Sequence, residues 1–571
     1  MSTRSGSAKK GVNTQASRAR RESVTLSIRK EKREGGLAKR RMMSSTSSAP
    51  SIPSEAWGEE SSESKSAEGS SKSASGAAKK PQYSVHDFPT MVQGLKNSDV
   101  NVKLENLRGF RRILSAENNP PVQQCMDCGA IPLMVDALQS IDNQDLQFEA
   151  AWALTNIAST DYTQVVVEYG AIPHLVQLLD SVNPDVREQA AWCLGNVAGD
   201  GPDSRDLILQ YNSMELLLKN ISQPATLSLL RNATWTLSNF CRNKPQPDLE
   251  KVRPALPALA MLISSQVDDE DTRIDAAWAL SYICDGDNDR IEAVIEQGVA
   301  PSLISMCRSG VSTQIMPALR TLGNIVSGSD TQTQAVLDAG LLTLAPELLQ
   351  KSKKSIRKEA CWAISNVAAG TPLQLDYLMQ HGEVMSLVLD LMGSSSEWDV
   401  RKEAVWVVSN IATAAKDSHL LALLNMNALK PLVQTLEVQD DKVTMCAIEA
   451  LEVFLKFDSR RSDLDLLNII ADCGGIDALE TLQEHANEDI YSKAVELIEA
   501  YFGGEEEDML ENVAPEMHNN QFSFGIPGDT TSARATSAFS GQSPKHLSFG
   551  YGDASSGGNT VEAGSSFDFG M

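Results

Sequence analysis

The order of apolar and polar positions predicts α-helix through most of residues 83–503. When each residue of 185–199 is given about 100° of helix rotation, one group of side chains falls within roughly 80° and forms an apolar stripe: Val186, Ala190, Leu194 and Val197. A second group, centred roughly 115° from the first on the same wheel, holds Gln189, Trp192 and Asn196. The tryptophan is therefore predicted to lie off the buried face, beside polar side chains.

This pattern recurs along the chain. It reads "EAAWALTNIA" at 149–158, "QAAWCLGNVA" at 189–198, "NATWTLSNFC" at 232–241, "EACWAISNVA" at 359–368 and "EAVWVVSNIA" at 403–412. With Trp278 and Arg320 filling the gap between the third and fourth copies, the period is about 42 residues, typical of armadillo or HEAT repeats. Stretches such as "YGAIPHLVQLL" end one helix at a Gly and begin the next with a Pro in its first turn.

Three predicted helices per unit favour armadillo over HEAT repeats. Weaker copies around Arg108, Glu449 and Glu496 bring the expected number of repeats to about ten. The predicted fold is all-α: a right-handed superhelical armadillo solenoid of about ten three-helix repeats, with disordered N- and C-terminal segments.

Equivalent off-core residues of a solenoid form ladders along one surface. A Trp ladder accepts the methylene stems and charged heads of Lys or Arg, and Asn amides can bond the backbone of an extended peptide. The residue three before the Trp adds negative charge in four copies: Glu149, Asp275, Glu359 and Glu403. The pattern thus predicts a groove for an extended basic peptide. The alternative is that the Trp residues are ordinary solenoid core.

Charge and composition divide the chain into four segments. The formal net charge is −25, yet residues 1–41 hold thirteen Lys and Arg against three Asp and Glu. We expect a basic arm at 1–41, a Ser-rich disordered linker at 42–82, the repeats at 83–503 and an acidic, then Gly/Ser-rich, disordered tail at 504–571. An acidic body argues against nucleic acid as a direct partner.

Other chemistry finds little support. The nine Cys are scattered, which suits a reducing compartment, and no apolar run is long enough for secretion or membrane insertion. The CxxC at Cys125 and Cys128 has no second pair, and the acidic run from Asp285 has Arg290 where a calcium loop needs Gly. No catalytic motif appears, so we expect neither an enzyme nor a cofactor or metal.

The chain resembles the importin α family, the adaptors that carry cargo with nuclear-localisation signals. The resemblance rests on the W-x-x-x-N ladder, the repeat count, the basic "RRESVTLSIRKEKREGGLAKRR" at 20–41 and the acidic "YFGGEEEDMLENVAPE" at 501–516. It implies a nuclear-import adaptor that binds Lys/Arg-rich signals of cargo proteins, attaches them to importin β through its arm, and shuttles between cytoplasm and nucleus through the nuclear pore.

The resemblance also implies two signal-binding sites in one groove. The major site matches Trp152, Asn156, Thr163, Gln189, Trp192, Asn196, Asp200, Asn232, Trp235 and Asn239, with Asp200 facing the dominant lysine. The minor site matches Glu359, Trp362, Asn366, Glu403, Trp406 and Asn410. Between them Tyr282 replaces an Asn, and Arg320 replaces a Trp before Asn324. The ladder is thereby interrupted, and Arg320 is expected to repel basic residues, which suits a bipartite signal.

The arm is expected to bind importin β, largely as a helix, or to occupy the groove itself. Importin β contacts are implied for Arg20, Arg21, Arg29, Lys30, Lys32 and Arg33, and autoinhibition for Lys39, Arg40 and Arg41. A flexible linker of about 45 residues reaches roughly 35–40 Å, enough for docking within one molecule. The alternatives are a merely solvated tail or an arm for nucleic acid.

Further partners are less specific. "FSFG" (522–525), "LSFGYG" (547–552) and "FDFG" (567–570) are similar to nucleoporin Phe-Gly motifs, or are chance aromatic residues in a Gly/Ser-rich tail. The family implies an export receptor that recycles the adaptor. The rival from another class is a catenin-type armadillo scaffold, whose basic groove binds acidic peptides; the acidic body argues against it.

Overall fold

A computed structural model describes residues 83–115, 120–264, 267–393, 396–461 and 463–502, and the backbone of 516–518 and 521–523. The predicted arm at 1–41, the linker at 42–82 and nearly all of the tail lie outside these ranges. The chain divides into two units, Met1–Gly503 and Gly504–Met571.

The described helices of the first unit repeat in chain order as a short first helix, a second helix and a long third helix. The first helices are Val122–Asp127, Thr163–Glu168, Pro202–Ile208, Leu249–Val252, Asn288–Ile295, Asp330–Asp338, Pro372–Gln380, Asp417–Asn425 and Leu466–Asp472. The second helices are Phe88–Leu95, Ala130–Leu138, Ala171–Leu178, Ser213–Ser222, Leu256–Leu262, Ala300–Cys307, Leu341–Leu349, Gly382–Met392, Leu429–Val433 and Gly475–Leu482.

The third helices, called groove helices from here on, carry the predicted ladder. They are Val100–Leu114, Gln144–Ala158, Pro184–Asp200, Leu227–Cys241, Glu270–Ile283, Ser312–Ile325, Lys354–Ala368, Trp398–Ala414, Asp441–Asp458 and Glu488–Tyr501. Single 3-10 turns at Val85–Asp87 and Arg253–Ala255 lie in repeats 1 and 5. The prediction of about ten three-helix repeats is confirmed, with the first repeat opening on a 3-10 turn.

Local sequence explains where the helices begin and end. Most groove helices begin after a side chain that accepts a backbone N–H of the first turn, as Asn143 does from Leu146 and Thr226 does from Leu229. The first and second helices of several repeats meet at a left-handed glycine; Gly170 is an example, with φ of 73°. A side chain there would be strained, so the Gly of "YGAIP" fixes this corner.

The core runs through the first unit between the three layers of helices. The stripe predicted for 185–199 is buried, with Val186, Ala190, Leu194 and Val197 at 0 % exposure. Small residues beside it, such as Ala191 and Gly195, are also buried because neighbouring groove helices lie directly against them. Each groove helix is thus covered on its core face and flanked by the next repeat.

Six residues of the predicted disordered tail form secondary structure in the second unit. Glu516–His518 pairs antiparallel with Gln521–Ser523, with Met517 opposite Phe522. The tail prediction did not include this pairing, which takes in the first half of "FSFG". Among the described residues, no helix is both long enough and apolar enough to cross a membrane.

Candidate functional site

The groove helices carry the ladder tryptophans at equivalent positions, but the exposure of these tryptophans differs. Trp152, Trp192 and Trp278 are half-buried. The other three are buried: Trp235 is 1 % exposed, Trp362 7 % and Trp406 9 %. The helical wheel therefore predicted the partial exposure of three tryptophans and missed the burial of three, because it ignores the neighbouring helices.

Glycines on the preceding helix account for two of the buried rings. A Cβ built on Gly195 would lie 2.4 Å from Cζ3 of Trp235, and one on Gly323 would lie 2.1 Å from Cζ3 of Trp362. Since real Cβ contacts are never so short, both rings lie directly against glycine backbone. These two glycines let the aromatic rings approach the adjacent helix and fix their positions in the ladder.

The ladder asparagines are also buried, and the amides of several of them bond the preceding repeat. Nδ2 of Asn196 donates to the carbonyl of Thr155 at 3.2 Å, and Nδ2 of Asn239 donates to the carbonyl of Gly195 at 2.9 Å. Asn324 and Asn410 bond the carbonyls of Ser281 and Ser365 in the same way, both at 2.9 Å. One of the two amide donors thus fixes each side chain, and the amide's orientation along the groove is set by the solenoid itself.

Two of the predicted acidic residues are paired with arginines of the preceding groove helix. Glu149 accepts from Nε of Arg111 at 2.7 Å and from Nε of Arg108 at 3.2 Å. Glu359 is paired with Arg320, and both side chains are buried. The negative charge expected at these two positions is thus paired within the solenoid, and the sequence of one helix does not show which cation the next helix brings.

This pairing also concerns Arg320, which was expected to repel basic residues. Its guanidinium carbon lies 5.6 Å from the centroid of the Trp362 ring while its charge meets Glu359. Arg320 thus fills a place beside Trp362, and whether it repels a basic peptide stays a prediction. Tyr282 interrupts the ladder differently: its ring stacks on Trp278 with centroids 5.9 Å apart.

The polar positions beside the major-site tryptophans are held by neighbours. Nδ2 of Asn232 donates to Oε1 of Glu188 at 2.9 Å, and Ser228 Oγ donates to the same oxygen at 2.5 Å. Burial raises the pKa of the Glu188 carboxyl, and these two hydrogen bonds oppose the rise. Glu188 was not predicted as a site residue, although it directly precedes the predicted Gln189, which is itself buried.

Asp200 ends the groove helix Pro184–Asp200 and is exposed. Gln164 reaches across from the preceding repeat, its Nε2 donating to Oδ2 of Asp200 at 2.7 Å. Gln164 adjoins Thr163, so the structure brings the predicted Thr163 loop and Asp200 together. The Thr163 side chain is fully buried, and its hydroxyl lies within hydrogen-bond distance of the carbonyls of Thr160 at 2.8 Å and Ala158 at 2.9 Å. The exposed carboxylate of Asp200 is the group here that is suited to an ammonium group.

The predicted minor-site residues lie on adjacent groove helices. Trp362 and Asn366 belong to Lys354–Ala368, while Trp406 and Asn410 belong to Trp398–Ala414. The bond from Asn410 to Ser365 joins the two helices. Glu403 is half-buried on the second of them.

The described residues contain no group of three or more His, Cys, Asp or Glu side chains placed to hold a metal ion. The CxxC thiols are not activated: burial raises the pKa of both Cys125 and Cys128. Asp287 caps the helix Asn288–Ile295 by accepting from the N–H of Arg290 at 3.0 Å. The acidic run thus has a structural role at a helix start.

Comparison with known families identifies the segments. Residues 4–108 match the importin beta binding domain. Armadillo/beta-catenin-like repeats match at 118–159, 159–199, 252–285 and 329–369, and an atypical Arm repeat matches at 465–516. An engineered protein of known structure covers 73 % of this chain and 99 % of its own length, with a TM-score of 0.65 and 26 % identity.

Whole-chain relatives add the family. Importin subunit alpha-1b of Oryza sativa subsp. japonica is 45 % identical, over 78 % of this chain and 84 % of its own. Importin subunit alpha-3 of Arabidopsis thaliana is 42 % identical over 90 % and 95 %. Probable importin subunit alpha-A of Dictyostelium discoideum is 36 % identical over 90 % and 96 %.

The helical repeats, with their ladder of Trp and Asn side chains on the third helices, make this an armadillo-repeat protein. The matched N-terminal domain and the relatives then decide the group: the chain belongs to the importin α family. It is a nuclear-import adaptor that links cargo to importin β through its N-terminal domain, and not an enzyme.

Proposed function

We propose that the groove helices of repeats 2 to 4 hold a Lys/Arg-rich nuclear-localisation signal as an extended peptide. The observation that carries this proposal is the ladder formed by the half-buried rings of Trp152 and Trp192 and the buried ring of Trp235, with neighbouring asparagines fixed by hydrogen bonds between repeats. Indole rings at a regular spacing pack against the stems of basic side chains, and fixed amides bond a peptide backbone. Rigid placement lowers the entropy lost on binding.

Asp200 is proposed to receive the dominant lysine, together with Thr163. It stands exposed at the end of a groove helix, and a carboxylate that accepts from an ammonium forms a charge-assisted hydrogen bond. Trp362 and Trp406 are proposed to bind a second basic cluster. Arg320 and Tyr282 separate the two sites and make the groove suitable for bipartite signals.

Titration of a fluorescent single-cluster signal peptide into the full chain tests the major site. Asp200→Lys replaces an attraction with repulsion and should weaken binding by at least about tenfold. The matched control is Asp185→Lys, an exposed acid at the other end of the same helix, about 22 Å away, with the same change in charge. Equal affinities for the Asp200→Lys chain and the Asp185→Lys chain would contradict the assignment.

The arm is proposed to regulate the groove. Lys39, Arg40 and Arg41 resemble a short basic signal, and a tether of this length gives an effective concentration up to about millimolar. Importin β would remove the arm by binding Arg20, Arg21, Arg29, Lys30, Lys32 and Arg33. Shuttling between cytoplasm and nucleus, recycling by an export receptor and contact of the Phe-Gly-like tail with nucleoporins complete the proposed cycle.

A further inference from the structure

A residue of the chain itself occupies the outer face of the first ladder tryptophan. The guanidinium carbon of Arg111 lies 4.0 Å from the centroid of the Trp152 ring. Its Nε donates to Oε2 of Glu149 at 2.7 Å and its Nη2 donates to Oε1 at 3.3 Å. The Arg111 side chain is 11 % exposed and that of Glu149 6 %. A basic stem on an indole face is the arrangement proposed for a bound signal residue, and here the charge of that stem also meets a buried acid.

Arg111 holds the position in repeat 1 that tryptophan holds in later repeats. It precedes Trp152 by 41 residues, close to the repeat period, and lies on the groove helix Val100–Leu114. Ser115 holds the corresponding Asn position, and Nδ2 of Asn156 donates to its hydroxyl at 2.9 Å. The ladder geometry therefore continues into repeat 1, with an arginine in place of the ring.

The same arrangement occurs once more in the described residues. Arg320 also stands where a Trp is expected, lies over the next ring, Trp362, and pairs with the acid three residues before that ring, Glu359. Arginine therefore precedes both runs of the ladder. A signal lysine could reach the ring face covered by Arg111 or by Arg320 only by displacing that arginine from a buried carboxylate. The free energy lost by breaking the buried ion pair is far larger than the free energy gained from one cation–π contact.

We infer that Arg111 closes the N-terminal end of the groove and limits how many basic residues of a signal the major site can hold. This inference rests on the proposed function of the groove. The slots left for a signal lie between Trp152, Trp192 and Trp235. Removal of Arg111 should open one more slot, because Glu149 keeps Arg108 as a partner at 3.2 Å and still lies beside the uncovered indole.

A lysine scan of the peptide ends tests this. The core peptide carries one basic cluster flanked by alanines, and the scan places one extra Lys at each of the first few positions beyond either end. Affinities are measured against the full chain, and each is divided by the core-peptide affinity of the same variant, so that competition from the arm cancels. For the Arg111→Ala chain, peptides with the extra Lys at one of the two ends should show an affinity ratio about two- to thirtyfold higher than the same peptides show with the wild type.

Arg112→Ala is the matched control, since Arg112 lies next along the same helix but faces Glu105 at 4.0 Å; its ratios should equal those of the wild type. Arg111→Lys restores a cation and should keep the slot closed. Arg111→Ser replaces Arg111→Ala if thermal unfolding shows that the alanine variant is not folded. Unchanged ratios in the small variants, or equal weakening of every peptide, would overturn the inference. Failure of the core peptide to bind the wild type would instead overturn the proposed function.

Discussion

Gly195→Ala should weaken signal binding although residue 195 offers no side chain to a peptide. Gly195 lies in the groove helix Pro184–Asp200, and its carbonyl accepts a hydrogen bond from Nδ2 of Asn239. The new methyl would meet Cζ3 of Trp235 at 2.4 Å and Oγ1 of Thr236 at 2.6 Å. Both contacts are too short to persist, and the hydroxyl is held by a bond to the carbonyl of Ala191 at 2.7 Å, so the helix that carries Trp235 and Thr236 must shift and the ring must move with it.

The overlap between the new methyl and the Trp235 ring sets the expected loss of signal affinity and of stability. Restoring van der Waals separation requires Trp235 to retreat by about 1 Å, and a gap of that size forfeits a quarter to a half of each dispersion contact it affects. Signal affinity should fall by about two- to tenfold, within the range of one cation–π slot. The free energy of unfolding should fall by about 0–2 kcal/mol, because overpacking costs about 1–3 kcal/mol while the better helix propensity of Ala returns about 1.

Fluorescence anisotropy with one single-cluster and one bipartite peptide measures the effect, beside urea unfolding of the same preparations. Gly323→Ala is the matched variant for the second run, since its methyl would meet Trp362 at 2.1 Å; it should weaken only the bipartite peptide. Gly382→Ala is the control, as its methyl enters open space at the first residue of a helix. Wild-type affinity of the Gly195→Ala chain for both peptides would refute the link between ring position and binding.

Three further outcomes are expected. Replacing Lys39, Arg40 and Arg41 by Ala should tighten cargo-peptide binding to the full chain, as should saturating importin β on the wild type; equal affinities by isothermal titration would count against autoinhibition. Trp192→Ala should weaken single-cluster and bipartite peptides by about five- to thirtyfold, whereas Trp406→Ala should weaken only the bipartite peptide. In a double-mutant cycle with the bipartite peptide, these two losses should add, and equal weakening of both peptides by Trp406→Ala would mean one continuous groove.

The sequence predicted the repeat architecture well because the period is itself physical. Each unit must bury an apolar stripe against its neighbours, so the stripe of Val186, Ala190, Leu194 and Val197 reveals both the helix and its core face. Because the repeats stack, residues at equivalent positions of neighbouring groove helices lie side by side, and this can be predicted from the period alone. The bond from Asn239 to Gly195 links two such helices and shows this regularity in the structure.

What lies between helices was harder to predict. The pairing of Glu149 with Arg111 joins residues 38 apart, and the helical wheel of either helix alone shows only an exposed charge. The period held the missing signal: counting back about one repeat from Trp152 reaches Arg111, whereas the sequence interpretation centred this weak copy on Arg108. Arg108 and Arg111 are three residues apart and therefore lie on the same face of the helix. The helical pattern alone could not show which of them covers the Trp152 ring.

The close approach of Trp235 to Gly195 was missed for a related reason. In a sequence, a Gly inside a predicted helix indicates only a loss of helix stability of about 1 kcal/mol relative to Ala. It does not indicate that a side chain of another helix packs against it. The role of this Gly becomes clear only in the structure, where a ring of the next repeat lies against it. Gly195 and Gly323 both stand three residues after a ladder position, at Trp192 and Arg320, so the spacing marks where a ring of the following repeat is received.

These features suggest how one scaffold can carry sites of different length. The groove helices of repeats 1 to 8 carry either Trp or Arg at the equivalent ladder position. A Trp there adds a face for a signal residue, while an Arg covers the next ring and neutralises the next acid, as Arg111 and Arg320 do. Neither choice disturbs the core, which faces the other side of the helix. On the proposed function, the number of basic residues that the groove accepts is therefore set by single positions, and it can change while the fold stays the same.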